Sequence, residues 1–178
     1  ARARLVNSEN LPSVLDFCTA NRVEFLVARC PTTDIAAAHA MEAAGFQLME
    51  TLLYLHFDLK THPIPKNQSE VLIRPVHPNE VSQVGGLART AFANYYGHYH
   101  ADPKLDPRKS TEVYIDWAER CCTDPAAANL VLVAEAEGKL VGFRALRVNS
   151  PVQGEFILAG VNPEYQRRGI YRAFIVEG

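Results

Sequence analysis

The sequence predicts an α+β fold over residues 71–178, a mixed and mostly antiparallel sheet flanked by helices. Three strand-like runs follow one another at 130–136, 139–148 and 155–161, with turn residues between them. These runs come after a strand and two amphipathic helices, and a polar turn that opens a further helix follows them. Strands joined by short turns pair antiparallel. The apolar face of such a sheet must be buried against another layer, and the predicted helices supply that layer.

The bulk composition is that of an ordinary globular protein. The chain has 178 residues, of which 48% are hydrophobic and 21% charged, and its formal net charge is -2. This charge gives no indication of nucleic-acid binding. No apolar run reaches the roughly 20 residues of a membrane span, and residues 1–6 lack a signal-peptide core. The four cysteines lack metal spacing, so we expect reduced thiols and a cytoplasmic protein.

Residues 1–60 are predicted to form a separate N-terminal α/β segment. Asn10, with proline two positions later, marks a helix start. Residues 24–30 form an apolar, strand-like run, and a second helix begins near Thr33. That helix is expected to end at Gly45, a natural left-handed cap.

Apolar residues alternate over residues 51–59, which predicts a strand with one buried face. Residues 61–70 are polar and contain two prolines, so we expect a semi-extended linker there. The second domain would then cover residues 71–178.

Within this second domain, a strand at 71–74 precedes a helix that follows Asn79. A loop at 94–106 is dense in Tyr, His and Asp, and Asp106 is placed to cap the next helix. Glu137 and Gly138 predict a tight hairpin between the first two of the three later strands.

The polar turn after Val161 is the most informative part of the chain. A buried strand is expected to end there, and Gln166-Arg167-Arg168-Gly169 opens a helix. Backbone amides at a helix start point outward unpaired, and the helix dipole adds positive potential. Gly169 permits close backbone approach, so this turn is suited to a phosphate or pyrophosphate.

This element order, together with the turn, resembles the GNAT superfamily of acyl-CoA-dependent N-acyltransferases. The signature of that family is Gln or Arg, two residues, Gly, one residue, then Gly or Ala. Gln166 and Gly169 match it, whereas Tyr171 stands where a small residue is usual. Within the family, the run Ala43-Ala44-Gly45-Phe46 and residues 115–117 are most similar to the dTDP-fucosamine acetyltransferase type.

The resemblance implies an N-acetyltransferase that moves an acetyl group from acetyl-CoA to a primary amine of a small molecule, without a metal. The narrower resemblance suggests an amino-sugar nucleotide as acceptor. The alternative is a non-catalytic acyl-CoA-binding or assembly module. By resemblance, the cofactor-binding residues are Ala159, Gly160, Val161, Gln166, Arg167, Arg168, Gly169, Ile170 and Tyr171.

The resemblance also implies the catalytic groups. The backbone amide of Val161 is the natural oxyanion donor. Several family members carry Glu at the strand position that is Phe156 here, which makes the neighbouring Glu155 a candidate base. Strand alternation points Glu155 to the opposite face, which favours a solvated strand carboxylate instead. The family's general-acid Tyr falls beyond Gly178, so we expect a chain truncated in the cofactor-binding helix.

The loop at 94–106 has two interpretations. It suits an acceptor-binding lip whose aromatic rings stack on a substrate, or a polar surface loop with its tyrosines packed inward. An alternating His-His-Asp triplet at 98, 100 and 102 is a poor three-ligand geometry, so we expect no metal. The candidate substrate-binding residues are Tyr95, Tyr96, His98, Tyr99 and His100.

Residues 11–59 follow the order helix, strand, helix, strand, which is similar to the last half of a GNAT domain. They are interpreted either as an incomplete leading domain or as a segment that completes the sheet beside residues 155–161. Under either interpretation the last strand of the second domain would be an exposed edge. A partner chain, as in a homo-oligomer, or further residues would cover it.

Overall fold

The computed structural model describes residues 1–67 and 69–178. The chain divides into two compact units, Ala1–Tyr54 and Leu55–Gly178. The predicted linker at 61–70 falls within the second unit and contains Gln68, which lies outside the described residues.

The first unit is built from two helices and one small parallel pair of strands. Strand β1 (Arg2–Ala3) pairs with β2 (Val27–Ala28), and helices α1 (Leu11–Ala20) and α2 (Ile35–Ala43) follow these strands in turn. The Asp34 side chain accepts a hydrogen bond from the α2 backbone at 2.9 Å, which caps that helix. Val6, Leu11 and Met41 form its small buried core.

The strand predicted over residues 51–59 is wrong. These residues form no regular element, and Leu53 and Leu55 are 84% and 96% exposed. Alternating apolar residues form a strand only where a neighbouring strand accepts and donates the ladder hydrogen bonds. In the described part of the chain this segment pairs with no strand. The predicted strand at 24–30 is likewise reduced to Val27–Ala28.

The second unit contains a four-stranded antiparallel sheet in the order β3-β4-β5-β6. Glu137 and Gly138 have φ angles of 54° and 71°, as the tight hairpin between β4 and β5 requires. The four strands are β3 (Leu72–Pro75), β4 (Leu130–Ala136), β5 (Lys139–Ser150) and β6 (Gln153–Val161).

Helices cover both faces of this sheet, which confirms the predicted α+β class. One face packs against α3 (Val81–Ala91) and α5 (Pro107–Thr123), and the short α4 (His98–Ala101) lies between these two in the chain. The opposite face packs against α6 (Ile170–Glu177). As predicted, Asp106 caps α5 by accepting a hydrogen bond from the Arg108 amide at 2.9 Å.

The cysteines are free thiols. Burial raises the pKa of Cys121 and of Cys122 to about 11, so both stay protonated and unreactive at neutral pH. Among the described residues, no helix has the length and apolar character needed to cross a membrane.

An ion-pair network joins the first strand of the sheet to the start of α3. The Arg74 guanidinium lies 2.7 Å from Glu80 Oε1 and 2.9 Å from Glu135 Oε2, and the His77 amide donates to Glu80 at 2.8 Å. The hydrogen bond from Arg74, with that from His77, lowers the pKa of Glu80 to about 2. Glu80 is buried, so its ionised form depends on these donors.

We predict that Glu80→Gln lowers the free energy of unfolding by about 2 kcal/mol at pH 7, because it removes a charge-assisted network from a buried site. The folded-state pKa lies below the usual value of 4.5, so this stabilisation is complete above that pH and disappears as pH falls toward 2. Urea unfolding between pH 7 and pH 3 measures both effects.

The matched control is Glu112→Gln, which removes an exposed carboxylate paired with Arg89 at 2.7 Å. It should change stability by less than about 0.5 kcal/mol. Equal effects of the two substitutions would contradict a stabilising role for the buried network.

Candidate functional site

The polar turn predicted from the sequence joins β6 to α6. Asn162 accepts a hydrogen bond from the Glu164 amide at 3.1 Å and starts a short 3-10 helix over Pro163–Tyr165. Arg167 and Gly169 then adopt φ angles of 64° and 76°. In the described part of the chain, the backbone amides of residues 167–171 donate to no backbone carbonyl. Successive unpaired amides in such a turn form a concavity that favours an anion.

Polar side chains fix the shape of this turn. Gln166 Nε2 donates to the Val161 carbonyl at 3.5 Å, and Arg168 Nη2 donates to the Glu164 carbonyl at 3.2 Å. The Arg168 guanidinium also lies 4.7 Å from the centre of the Tyr165 ring. Arg167 is exposed. Two guanidinium groups therefore add positive charge beside the unpaired amides.

Glycines at positions 160 and 169 are required for different physical reasons. Gly169 has a positive φ and open space around it, so its backbone conformation favours glycine. A Cβ at Gly160 would lie 2.6 Å from Phe143 Cε1 and 3.0 Å from Ala91 Cβ. Gly160 is therefore required for packing of the sheet against α3, whereas Gly169 is required by the turn.

The outer edge of β6 presents backbone groups that pair with no strand among the described residues, although the Val161 carbonyl accepts the long bond from Gln166. The Asn162 amide donates to the Val141 carbonyl at 2.9 Å, and the register continues with Val161 opposite Gly142 and Ala159 opposite Arg144. Because alternate residues of an antiparallel strand bond to the same neighbour, the polar groups of Ala159 and Val161 point away from β5. Those of Gly160 point toward β5. The described residues supply no strand on that outer side.

A buried cation that sequence reasoning missed lies beneath the start of α6. Arg144 is 4% exposed, and its guanidinium carbon lies 3.6 Å from the centre of the Phe156 ring and 4.5 Å from that of Tyr171. The ring of Tyr171, the residue that departs from the family signature, therefore lies over a cation. The available signal was an arginine in the otherwise apolar run at 140–146.

Glu155, the candidate base, is held in an ion pair on the sheet. Its Oε2 lies 3.0 Å from Arg147 Nη2 and accepts a hydrogen bond from Asn149 Nδ2 at 2.9 Å. Arg147 is its direct cross-strand neighbour. A cross-strand ion pair of this kind is what the strand-carboxylate interpretation predicts for Glu155.

The aromatic loop packs largely against α5. Rings of Tyr95, Tyr99 and His100 surround Tyr114, with His100 and Tyr114 stacked at an interplanar angle of 8°. The Gly97 amide donates to His100 Nδ1 at 3.4 Å, so His100 Nε2 donates to Thr111 Oγ1 at 3.1 Å. These contacts fix the conformation of the loop.

The remaining loop residues differ in exposure. Tyr96 is 74% exposed, whereas His98 is half-buried and its ring contacts that of Tyr99 at a tilt of 46°, with 4.0 Å between the ring centres. Tyr96 is thus available to a ligand, while most of its neighbours support the loop. Within the described residues, His, Cys, Asp and Glu side chains form no group of three or more suited to a metal.

The C-terminal half of the chain matches a known protein family. The profile of the acetyltransferase (GNAT) family matches residues 91–175, just under half of the chain. The matched range includes the aromatic loop, α5, β4 to β6 and the turn into α6.

Curated relatives match a longer range at low identity. Spore coat polysaccharide biosynthesis protein SpsD of Bacillus subtilis is 25% identical over 128 residues, which cover 69% of this chain and 41% of that protein. A mycothiol acetyltransferase of Thermomonospora curvata is 29% identical over 151 residues, which cover 82% of this chain and 46% of that protein. The chain therefore spans less than half the length of these relatives.

One solved structure with a similar fold is a GNAT family acetyltransferase from Brucella melitensis in complex with acetyl-CoA. The sequence identity is 21% and the TM-score is 0.42. The match covers 62% of this chain and 67% of the Brucella melitensis chain.

We predict that Gly160→Ala lowers the free energy of unfolding by about 1–3 kcal/mol, because its methyl group overlaps Phe143 and Ala91. Gly86→Ala is the control, since Gly86 lies exposed in α3 with no atom near its Cβ position. It should raise stability by about 0.5–1 kcal/mol. Thermal and urea unfolding measure both, and a neutral Gly160→Ala would contradict the close packing.

Proposed function

We propose that this chain, whose residues 91–175 form a GNAT acetyltransferase domain, transfers an acetyl group from acetyl-CoA to a primary amine of a small molecule. The observation that carries the proposal is the run of unpaired amides at 167–171, placed next to the open edge of β6. A cytoplasmic location and self-association, both expected from the sequence, stay predictions.

The turn is proposed to bind the coenzyme pyrophosphate. Amides of Arg167, Arg168, Gly169, Ile170 and Tyr171 supply hydrogen-bond donors, and the α6 dipole supplies roughly half a positive charge at the same end. The left-handed Gly169 keeps side-chain atoms away from the phosphates. Oxyanions bind to such amides directly, so the turn needs no metal.

The open edge of β6 is proposed to hold the pantetheine arm and the thioester. The outward-pointing amides of Ala159 and Val161 and the Ala159 carbonyl would pair with amides of the arm, as an added strand does. Gly160 contributes packing rather than donors. The Val161 amide would also donate to the oxyanion that develops on the thioester carbonyl. One such donor contributes about 3–4 kcal/mol to stabilisation of the transition state.

The chemical step is direct attack of a neutral amine on the thioester. A C–N bond forms and the C–S bond breaks; a base receives the amine proton, and the coenzyme leaves as the thiol after protonation. Holding amine and thioester in contact supplies much of the acceleration. The fixed loop at 94–106, with Tyr96 exposed, is proposed to hold the acceptor.

An amino sugar is the acceptor class that we propose to test first. An exposed tyrosine offers an apolar face on which a sugar or base can stack. The polysaccharide biosynthesis named for the Bacillus subtilis relative supports the same class.

A non-catalytic acyl-CoA-binding module is the second candidate. The observation that favours it is the ion pair that holds Glu155, which leaves no assigned base. Two measurements separate the candidates. Stabilisation by acetyl-CoA in a thermal-shift assay tests binding, and release of free coenzyme thiol with a panel of amines tests transfer. Binding without release for every amine would favour the module.

We predict that Gly169→Val weakens acetyl-CoA binding at least about tenfold, because a branched residue disfavours the left-handed turn that aligns the amides. Gly138→Val is the matched control: it also has a positive φ and open space, but lies in the β4–β5 hairpin. Isothermal titration calorimetry measures both. Equal affinities for the two variants would remove the turn from the binding site.

Glu155→Gln should lower kcat by less than about threefold, because we expect the Glu155 carboxylate to pair with Arg147 rather than accept the amine proton. The pH profile of kcat should also stay unchanged. A fall of a hundredfold or more with an unchanged KM would instead identify Glu155 as the base.

A further inference from the structure

Arg144 is a buried cation in the centre of the sheet. It lies on β5 with 4% of its surface exposed, and its side chain is on the face that packs against α6. Phe156 of β6 and Tyr171 of α6 lie over the guanidinium at 3.6 and 4.5 Å. These aromatic faces stabilise a positive charge.

No carboxylate compensates this charge in the described part of the chain. Arg144 Nε and Nη1 are buried without a hydrogen-bond partner among the described residues, and burial lowers the pKa of the guanidinium. Arg74, by contrast, is paired with two carboxylates. The Tyr171 hydroxyl accepts a hydrogen bond from the guanidinium, but the cation–π contacts give Nε and Nη1 no acceptor and so replace only part of the lost hydration. The site therefore favours an anion.

The position of Arg144 connects it to the proposed acetyl-transfer site. Ala159, whose outward backbone groups are proposed to hold the pantetheine arm, is its direct partner across the sheet. Tyr171 lies in the first turn of α6, next to the unpaired amides. Residues Phe156 and Tyr171 are 37% and 55% exposed, so we expect that rotation of their side chains opens Arg144 to a ligand without unfolding the sheet.

We propose that Arg144 recognises a carboxylate on a substrate of this site, a proposal that rests on the proposed acetyl-transfer function. The carboxylate would come either from the acyl group of a dicarboxylic acyl-CoA or from the acceptor amine. A carboxylate fits this position better than a phosphate, because a single charge costs less to desolvate between two aromatic rings. The coenzyme pyrophosphate already has the amides at 167–171.

The test compares ligands that differ in one carboxylate. In one arm, calorimetry measures the affinity of the wild-type chain for acetyl-CoA and for succinyl-CoA. In the other, acetyl-CoA is kept and kcat/KM is measured for paired amines with and without a carboxylate, such as tyrosine and tyramine. We expect a preference of about 10- to 100-fold for the carboxylate in one arm, which identifies its source.

Substitutions of Arg144 test whether this residue causes the preference for a carboxylate. Arg144→Gln should abolish it, and Arg144→Lys should keep part of it, because an ammonium retains the charge without the planar fork. Arg120→Gln, which removes an exposed arginine from α5, is the control and should keep the full preference. The wild-type comparison keeps the proposal testable even where an Arg144 variant fails to fold.

The outcomes separate this inference from the proposed function. Binding and turnover of acetyl-CoA without a carboxylate preference in either arm would overturn the role of Arg144 and leave the proposed function standing. A preference that persists in Arg144→Gln would do the same. No binding of either acyl-CoA would overturn the proposed function, and the inference with it.

Discussion

The site depends on backbone hydrogen-bonding groups that the fold leaves unpaired. The amides of Ala159 and Val161 and the Ala159 carbonyl point away from β5, and the turn that follows leaves amides 167–171 without backbone acceptors. Unpaired backbone groups are costly when buried, so they must face water or a ligand. Sheet register and two left-handed residues therefore define where a ligand with both amides and phosphates would bind.

A half-buried arginine and a buried one differ in how their charge is compensated. Arg74 and its two carboxylates form a satisfied network that joins β3 to α3 and is best explained as structural. Arg144 has aromatic neighbours but no carboxylate among the described residues. A buried charge without a counter-ion is unfavourable for folding. We therefore propose that a ligand carboxylate compensates the charge of Arg144.

Sequence reasoning predicted local features well. The hairpin at Glu137-Gly138, the cap at Asp106 and the order of strands β4 to β6 follow from turn chemistry and period-two patterning. It failed at residues 51–59, where alternation was correct but no partner strand exists in the described chain. Arg144 was missed because nothing in the sequence gives the distance from one side chain to two distant rings. The failed strand at residues 51–59 and the surroundings of Arg144 both depend on contacts between residues far apart in the sequence.

The most direct test of this account is the NMR response of individual amides to acetyl-CoA in a 15N-labelled chain. We predict that the amides of residues 167–171, together with those of Ala159 and Val161, shift most on titration and become protected from solvent exchange. The Gly160 amide, which faces β5, should stay protected throughout. Binding that leaves residues 167–171 unshifted, or shifts confined to other parts of the chain, would contradict the account.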